Sequence, residues 1–201
     1  MQVVPPALER LISDFMKLPG IGRKTATRLA LYILRRPAAE AQALVEDLAV
    51  LHSSIRLCSS CYAFSESDPC GICGDARRNS SLICVVEEPG DMMSIEKTGA
   101  YRGVYHILHG VLSPMDGIGP RELKIKELLH RIEYRNTEEV LIATSSTVPG
   151  EATSSYLMDR LGGFPIKVSR LACGIPMGMD IKYADEHTLA RAIESRQQVK
   201  R

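Results

Sequence analysis

The chain has 201 residues, of which 25 are Lys or Arg against 24 Asp or Glu, and 45% are hydrophobic. That balance suits one medium folded domain with small attachments, and it excludes both wholesale disorder and a large multidomain enzyme. No uncharged run approaches the about 18 apolar residues of a membrane span, and Pro5, Pro6, Glu9 and Asp14 stand where a secretory leader needs a basic start, so the reading is a cytoplasmic protein. Seven Tyr, three Phe and no Trp supply too few rings for a broad base-stacking platform, so any nucleic-acid contact should lean on backbone phosphates.

Leu8, Leu11, Ile12 and Phe15 recur at the spacing of an amphipathic helix, which ends at Leu18-Pro19-Gly20-Ile21-Gly22. Ala26, Leu29, Ala30 and Ile33 predict a second helix stopped near Pro37, and Leu44, Leu48, Leu51 and Ile55 predict a third. Residues 1–57 are thus expected to form a helical module. Residues 17–36 carry Lys17, Arg23, Lys24, Arg28, Arg35 and Arg36 and no acid. Most such clusters are solvated helix faces, but this one coincides with Gly20, Gly22 and the Leu-Pro lead-in. Glycine lets backbone approach a ligand, and the helix that follows offers unpaired N–H groups and the positive end of its dipole, which together suit a phosphate. Lys24 and Arg28, four apart, share one face, with Arg23 beside them. The turn resembles the helix-hairpin-helix motif, a sequence-independent DNA-binding element.

Cys58, Cys61, Cys70 and Cys73 crowd into sixteen residues as two Cys-x-x-Cys pairs, whereas Cys84 and Cys173 stand alone. The spacing predicts two knuckles placing four thiolates around tetrahedral zinc, one ion per chain. Four protein ligands close the coordination sphere, so the ion would be structural. A redox dithiol and an iron-sulfur cluster rank below it, because Cys70-Gly71-Ile72-Cys73 lies in a loop rich in Pro, Ser and Asp instead of opening a helix after a strand. Stripping the ion should unfold the loop and loosen the junction between the two halves.

From Ser81 onward short apolar runs, Ile83 to Val86, Val104 to Leu108, Val140 to Ala143 and Ile166 to Val168, alternate with helical stretches over 91–97, 120–133 and 151–161. That alternation predicts an α/β domain with a largely parallel sheet, followed by a helix near 185–196 with Asp185 at its N-cap and a frayed basic tail. Cys84 reads as core packing, and His106 and His109 as satisfied polar side chains. Ser81 through Gly90 reads as a buried strand ending in Glu87, and it resembles the first strand of the Toprim fold of topoisomerases and primases. In those enzymes this glutamate joins an Asp-x-Asp pair in holding magnesium. Here Ser145-Ser146-Thr147 stands where that pair is expected, so the fold is retained and the catalysis is not. The alternative, a magnesium-dependent nuclease or nucleic-acid synthetase, needs carboxylates from elsewhere, such as Asp180 or Asp185.

The order of parts, together with Thr98-Gly99-Ala100-Tyr101-Arg102-Gly103, Leu112 through Pro120 and Tyr183 through Leu189, resembles the bacterial RecR recombination-mediator family nearly end to end. The resemblance implies a helical DNA-binding module at 1–57, a four-cysteine zinc finger at 58–73, a Toprim-like domain at 81–176 and a C-terminal segment at 177–201 used in assembly. It implies a non-enzymatic repair factor that works with RecO and RecF to load RecA onto single-stranded DNA. It also implies a homotetrameric ring closed through the N-terminal helices and the C-terminal region. Lys24 and Arg28 would contact DNA, with Gly20, Gly22 and Arg23 completing the grip, and RecO would dock near Glu87 and Glu151. The sequence departs from the family at Ser145, Pro149 and Cys173, where Asn, Glu and Arg are usual.

Overall fold

Ile12, Ala26 and Ala30 form a small buried core in the N-terminal unit, Met1–Ile55, with Leu8, Leu11, Phe15 and Ile21 packed against it. In the computed structural model, which describes residues 4–196 and 198, this core joins α1 (Pro6–Phe15) to α2 (Arg23–Arg35). Both helices fall where the apolar periodicity puts them. Helix α3 (Ala38–Ser54) also forms, yet none of its 17 residues is buried, and Leu44, Val45, Leu48, Val50 and Leu51 are exposed.

A second unit begins at Arg56. It opens with an antiparallel ribbon, β1 (Arg56–Leu57) on β2 (Phe64–Ser65), and continues into β3 (Asn79–Val86), α4 (Pro89–Lys97), β4 (Gly103–Ile107), α5 (Ile125–Tyr134), β5 (Glu139–Ile142), α6 (Val148–Leu161) and β6 (Lys167–Arg170). The four longer strands make one sheet in the order β4-β3-β5-β6 with every pair parallel. Parallel neighbours need crossover connections, and α4, α5 and α6 supply them.

Both faces of this sheet are covered, which is why its strands read as continuous apolar runs instead of alternating. Ile83 and Val85 of β3 pack with Leu128 and Ile132 of α5 and Leu157 and Leu161 of α6. Cys84 and Val86 join a second core with Met92, Tyr105 and Ile107, and that core includes Cys58, Cys61, Ala63 and Cys70. The cysteine loop is therefore one of the layers on the sheet. Cys84 is wholly buried, and burial pushes its thiol up to about 12, as a packing role requires.

Helix starts differ from the periodicity in instructive ways. Pro89 and Pro149 sit in the first turns of α4 and α6, where their missing N–H groups cost nothing, so both helices begin earlier than the apolar spacing suggests. Residues 120–124 form turns, and α5 starts only at Ile125, because the Lys124 N–H donates to Leu108 O (3.1 Å) and buries Leu123 as a loop residue. Helix α7 (Glu186–Glu194) has Asp185 as its cap, accepting from the Thr188 N–H at 2.9 Å. Of the basic tail expected after Arg196, all but Gln198 lies outside the described residues. Among the described residues no helix is long and apolar enough to cross a membrane.

Candidate metal centre and nucleic-acid interface

The first knuckle is shaped by backbone bonds: the Cys58 N–H donates to Ala63 O (2.8 Å), and the Tyr62 N–H to Cys58 O (2.9 Å). Asp68 accepts from the N–H and hydroxyl of Ser59, both at 2.9 Å, which clamps the loop between the pairs. The four sulfur atoms lie within 4.8 Å of one another, and Cys61 Sγ and Cys70 Sγ are 3.6 Å apart. A zinc–sulfur bond of about 2.3 Å in a tetrahedron demands sulfurs about 3.8 Å apart, so the cluster fits the ion. N–H groups also point at sulfur, from Cys70 to Cys58 Sγ (3.3 Å) and from Cys73 to Cys70 Sγ (3.5 Å), and such donors favour thiolate over thiol. The hydrogen bond with Cys61 lowers Cys73 to about 6, while the same bond and burial hold Cys61 high. Among the described residues this is the one group of His, Cys, Asp or Glu close enough to hold a metal.

Glu87 does not meet other acids. Its Oε1 accepts from the Ser145 N–H at 2.7 Å, tying the end of β3 to the end of β5. Gly150 in the first turn of α6 lies so close that a Cβ there would collide with the carbonyl and hydroxyl of Ser145 and come within 2.8 Å of Glu87 Oε1. Asp91 accepts from the Glu88 N–H (2.9 Å) at the start of α4. Glu151 is held by Arg170 (2.7 and 3.2 Å) and faces Arg191 at 3.8 Å, and the bond from Arg170 keeps its carboxyl below the usual range. Asp180 pairs with Lys182 and Asp185 caps α7, so neither joins Glu87.

At the helical turn Gly20 adopts φ +77°, a left-handed conformation that a side chain would strain, and a Cβ on either Gly20 or Gly22 would meet open space. Gly22 N-caps α2 without any side-chain cap. That leaves the helix N-terminus open to an external acceptor. Arg23 is engaged with Glu9 at 2.8 and 3.0 Å, whereas Lys24 and Arg28 form no ion pair among the described residues.

His106 is fully buried, with Nε2 2.7 Å from Lys124 O and no partner for Nδ1, so only one of its nitrogens is satisfied. His109 Nε2 lies 2.8 Å from Tyr62 O. Burial lowers His106 from 6.5 to about 4. Because the unfolded chain takes up this proton first, stability is full above about pH 6.5 and falls by about 3 kcal/mol as the pH descends to 4. Urea titrations of the parent and His106→Gln across pH 4–7 should show the parent losing more stability over that window.

Arg131 carries no signal of its own in the sequence beyond falling three residues after Leu128, on the apolar stripe of α5. In the structure it is 7% exposed, and its Nη1 donates to Ser60 O (2.9 Å) and Tyr105 O (2.6 Å).

Comparison with known proteins matches four family models: the RecR helix-hairpin-helix over residues 8–51, the RecR zinc finger domain with its four cysteines over 55–75, the Toprim domain over 81–172 and the RecR C-terminal model over 174–197. The zinc-finger match coincides with the cysteine cluster, and the ion it holds is structural zinc. The chain is 50% identical to Recombination protein RecR of Desulfatibacillum aliphaticivorans over 196 residues, 98% of each chain. It is 51% identical to Recombination protein RecR of Syntrophotalea carbinolica over 194 residues, 96% of this chain and 98% of the relative. With a helix-hairpin-helix, a four-cysteine centre and a Toprim sheet in one chain, matched at this identity along almost its whole length, the protein belongs to the RecR family of recombination proteins.

Proposed function

We propose that the protein is a non-catalytic DNA-binding mediator of recombinational repair, acting with RecO and RecF to load RecA onto single-stranded DNA. The observation that carries this reading is the uncapped start of α2 beside Lys24 and Arg28, two cations free of ion pairs among the described residues. Gly20 and Gly22 keep the approach open, and Arg23 joins the grip by exchanging its exposed pairing with Glu9 for phosphate, an exchange that costs about 1 kcal/mol or less.

Copies assemble into a tetrameric ring. The unburied apolar side chains of α3 support one contact, and Met177, Ile181, Tyr183 and Ile193 support another at the C-terminal segment. Residues 1–57, 58–73, 81–176 and 177–201 then serve as DNA grip, zinc finger, central platform and assembly element. RecO docks at the carboxyl end of the sheet, where Glu87 and Glu151 stand. The absence of catalysis is supported by the surroundings of Glu87, whose Oε1 accepts from the Ser145 N–H and which among the described residues is not grouped with the further carboxylates that a magnesium site needs.

Lys24→Ala combined with Arg28→Ala should lower retention on duplex and single-stranded DNA at least tenfold while the mass in solution remains that of four copies. Retention equal to the parent's would overturn the reading. Nicked or joined DNA on addition of magnesium or manganese would overturn its non-catalytic part.

A further inference from the structure

Arg131 is a buried cation without a carboxylate. It makes no ion pair among the described residues, and Glu127, one helical turn earlier, is taken by Lys124 Nζ at 3.1 Å. Its Nη1 is spent on two backbone carbonyls, and its Nε has no partner. A charge removed from water needs either an opposite charge nearby or a large compensating stabilisation, and two neutral carbonyls compensate poorly for a full guanidinium.

The opposite charge lies in the metal centre. Ser60, whose carbonyl Arg131 grips, sits between the ligands Cys58 and Cys61. Four thiolates around a divalent ion carry a net charge of minus two, buried in the same layer. Burial works against the ionised guanidinium, as does the repulsion of Arg135, and the negative charge of Cys73, Cys61 and Cys58 works in its favour.

We infer that Arg131 is a positioning residue of the zinc centre, whose fixed positive charge balances the tetrathiolate and sets how tightly the ion is held. The carbonyl bonds aim that charge, because one nitrogen is tied at once to the first knuckle through Ser60 and to β4 through Tyr105. An arginine suits this place because its guanidinium is weakly hydrated and carries several donors in a fixed planar fork, so it can bond two carbonyls at once while keeping its charge.

Two substitutions separate charge from hydrogen bonding. Arg131→Gln keeps an amide donor without the charge, and Arg131→Lys keeps the charge on a different donor. Zinc affinity, read by competition with a chromophoric chelator on the full chain, should fall roughly 10- to 100-fold in Arg131→Gln, the range seen when outer partners of metal ligands are lost. Arg131→Lys should retain most of the parent's affinity. Unchanged affinity in Arg131→Gln, or an equal loss in both variants, would overturn the inference. Should Arg131→Gln fail to fold, Arg131→Met, which fills the same space without charge, takes its place in the chelator competition. Zinc affinity equal to the parent's in that variant, or a loss in Arg131→Lys as large as in Arg131→Met, would overturn the inference.

Discussion

Removing zinc, by chelation or by Cys58→Ser, is expected to unfold the cysteine loop and to strip protection from the Toprim sheet itself. Structural zinc contributes about 10–16 kcal/mol in small zinc-binding peptides at neutral pH, as much as or more than the about 5–15 kcal/mol by which whole domains are stable. The effect must spread because Cys58, Cys61 and Cys70 share one core with Val86, Tyr105 and Ile107. Hydrogen exchange reads it directly: the Ile107 N–H, bonded to Cys61 O at 2.9 Å, should exchange orders of magnitude faster without metal. Amides of α1 and α2, whose core holds no zinc ligand, should keep their protection. An Ile107 amide as slow as in the zinc-loaded protein would show that the loop covers the sheet without supporting it. Acid should act in the same direction as the chelator, since protons compete with zinc for thiolates.

The second large effect concerns salt. If Lys24 and Arg28 each neutralise one phosphate and four copies close around duplex DNA, up to about eight contacts act together. The logarithm of affinity should then fall against the logarithm of salt with a slope of about −7, compared with about −2 for a single copy. Over the range from about 50 to 200 mM salt that is a loss of about four orders of magnitude for the ring and about one for the lone chain. A filter-binding or fluorescence titration at several salt concentrations separates the two cases. The double variant should lose these contacts and flatten the slope to what Arg23 alone supplies. A shallow slope in the parent, with four copies present in solution, would mean that the cations of α2 do not meet DNA together.

Much of this was legible in the chain because the signals are local. The spacing of Cys58, Cys61, Cys70 and Cys73 defines a ligand set, and Leu18 through Gly22 defines a turn, without knowledge of any distant residue. Four apolar runs located the strands, since burial on both faces leaves no alternation to confuse. What escaped depends on neighbours far away in sequence. Glu87 reaches Ser145 only because β3 and β5 are adjacent in the sheet, 58 residues apart along the chain. His106 Nε2 is satisfied only because the Lys124 carbonyl, just before α5, lies beside it, and Arg131 is buried where the zinc loop meets its helix. The stretch 120–124 is expected to open the helix over 120–133, yet a backbone bond to Leu108 claims Lys124 first. In each case a tertiary contact outweighs a local pattern.

Strand β4 is outermost in its sheet, and its free side would otherwise present a row of unsatisfied backbone groups. The Cys61 carbonyl takes the Ile107 N–H there, and the Arg131 guanidinium takes the Tyr105 carbonyl. Bare sheet margins are templates on which a foreign strand can add, and proteins blunt them to stay soluble. The metal loop therefore serves as a guard against aggregation: molecules made when zinc is scarce should clump through intermolecular strand pairing, well before any defect in their grip on nucleic acid becomes apparent.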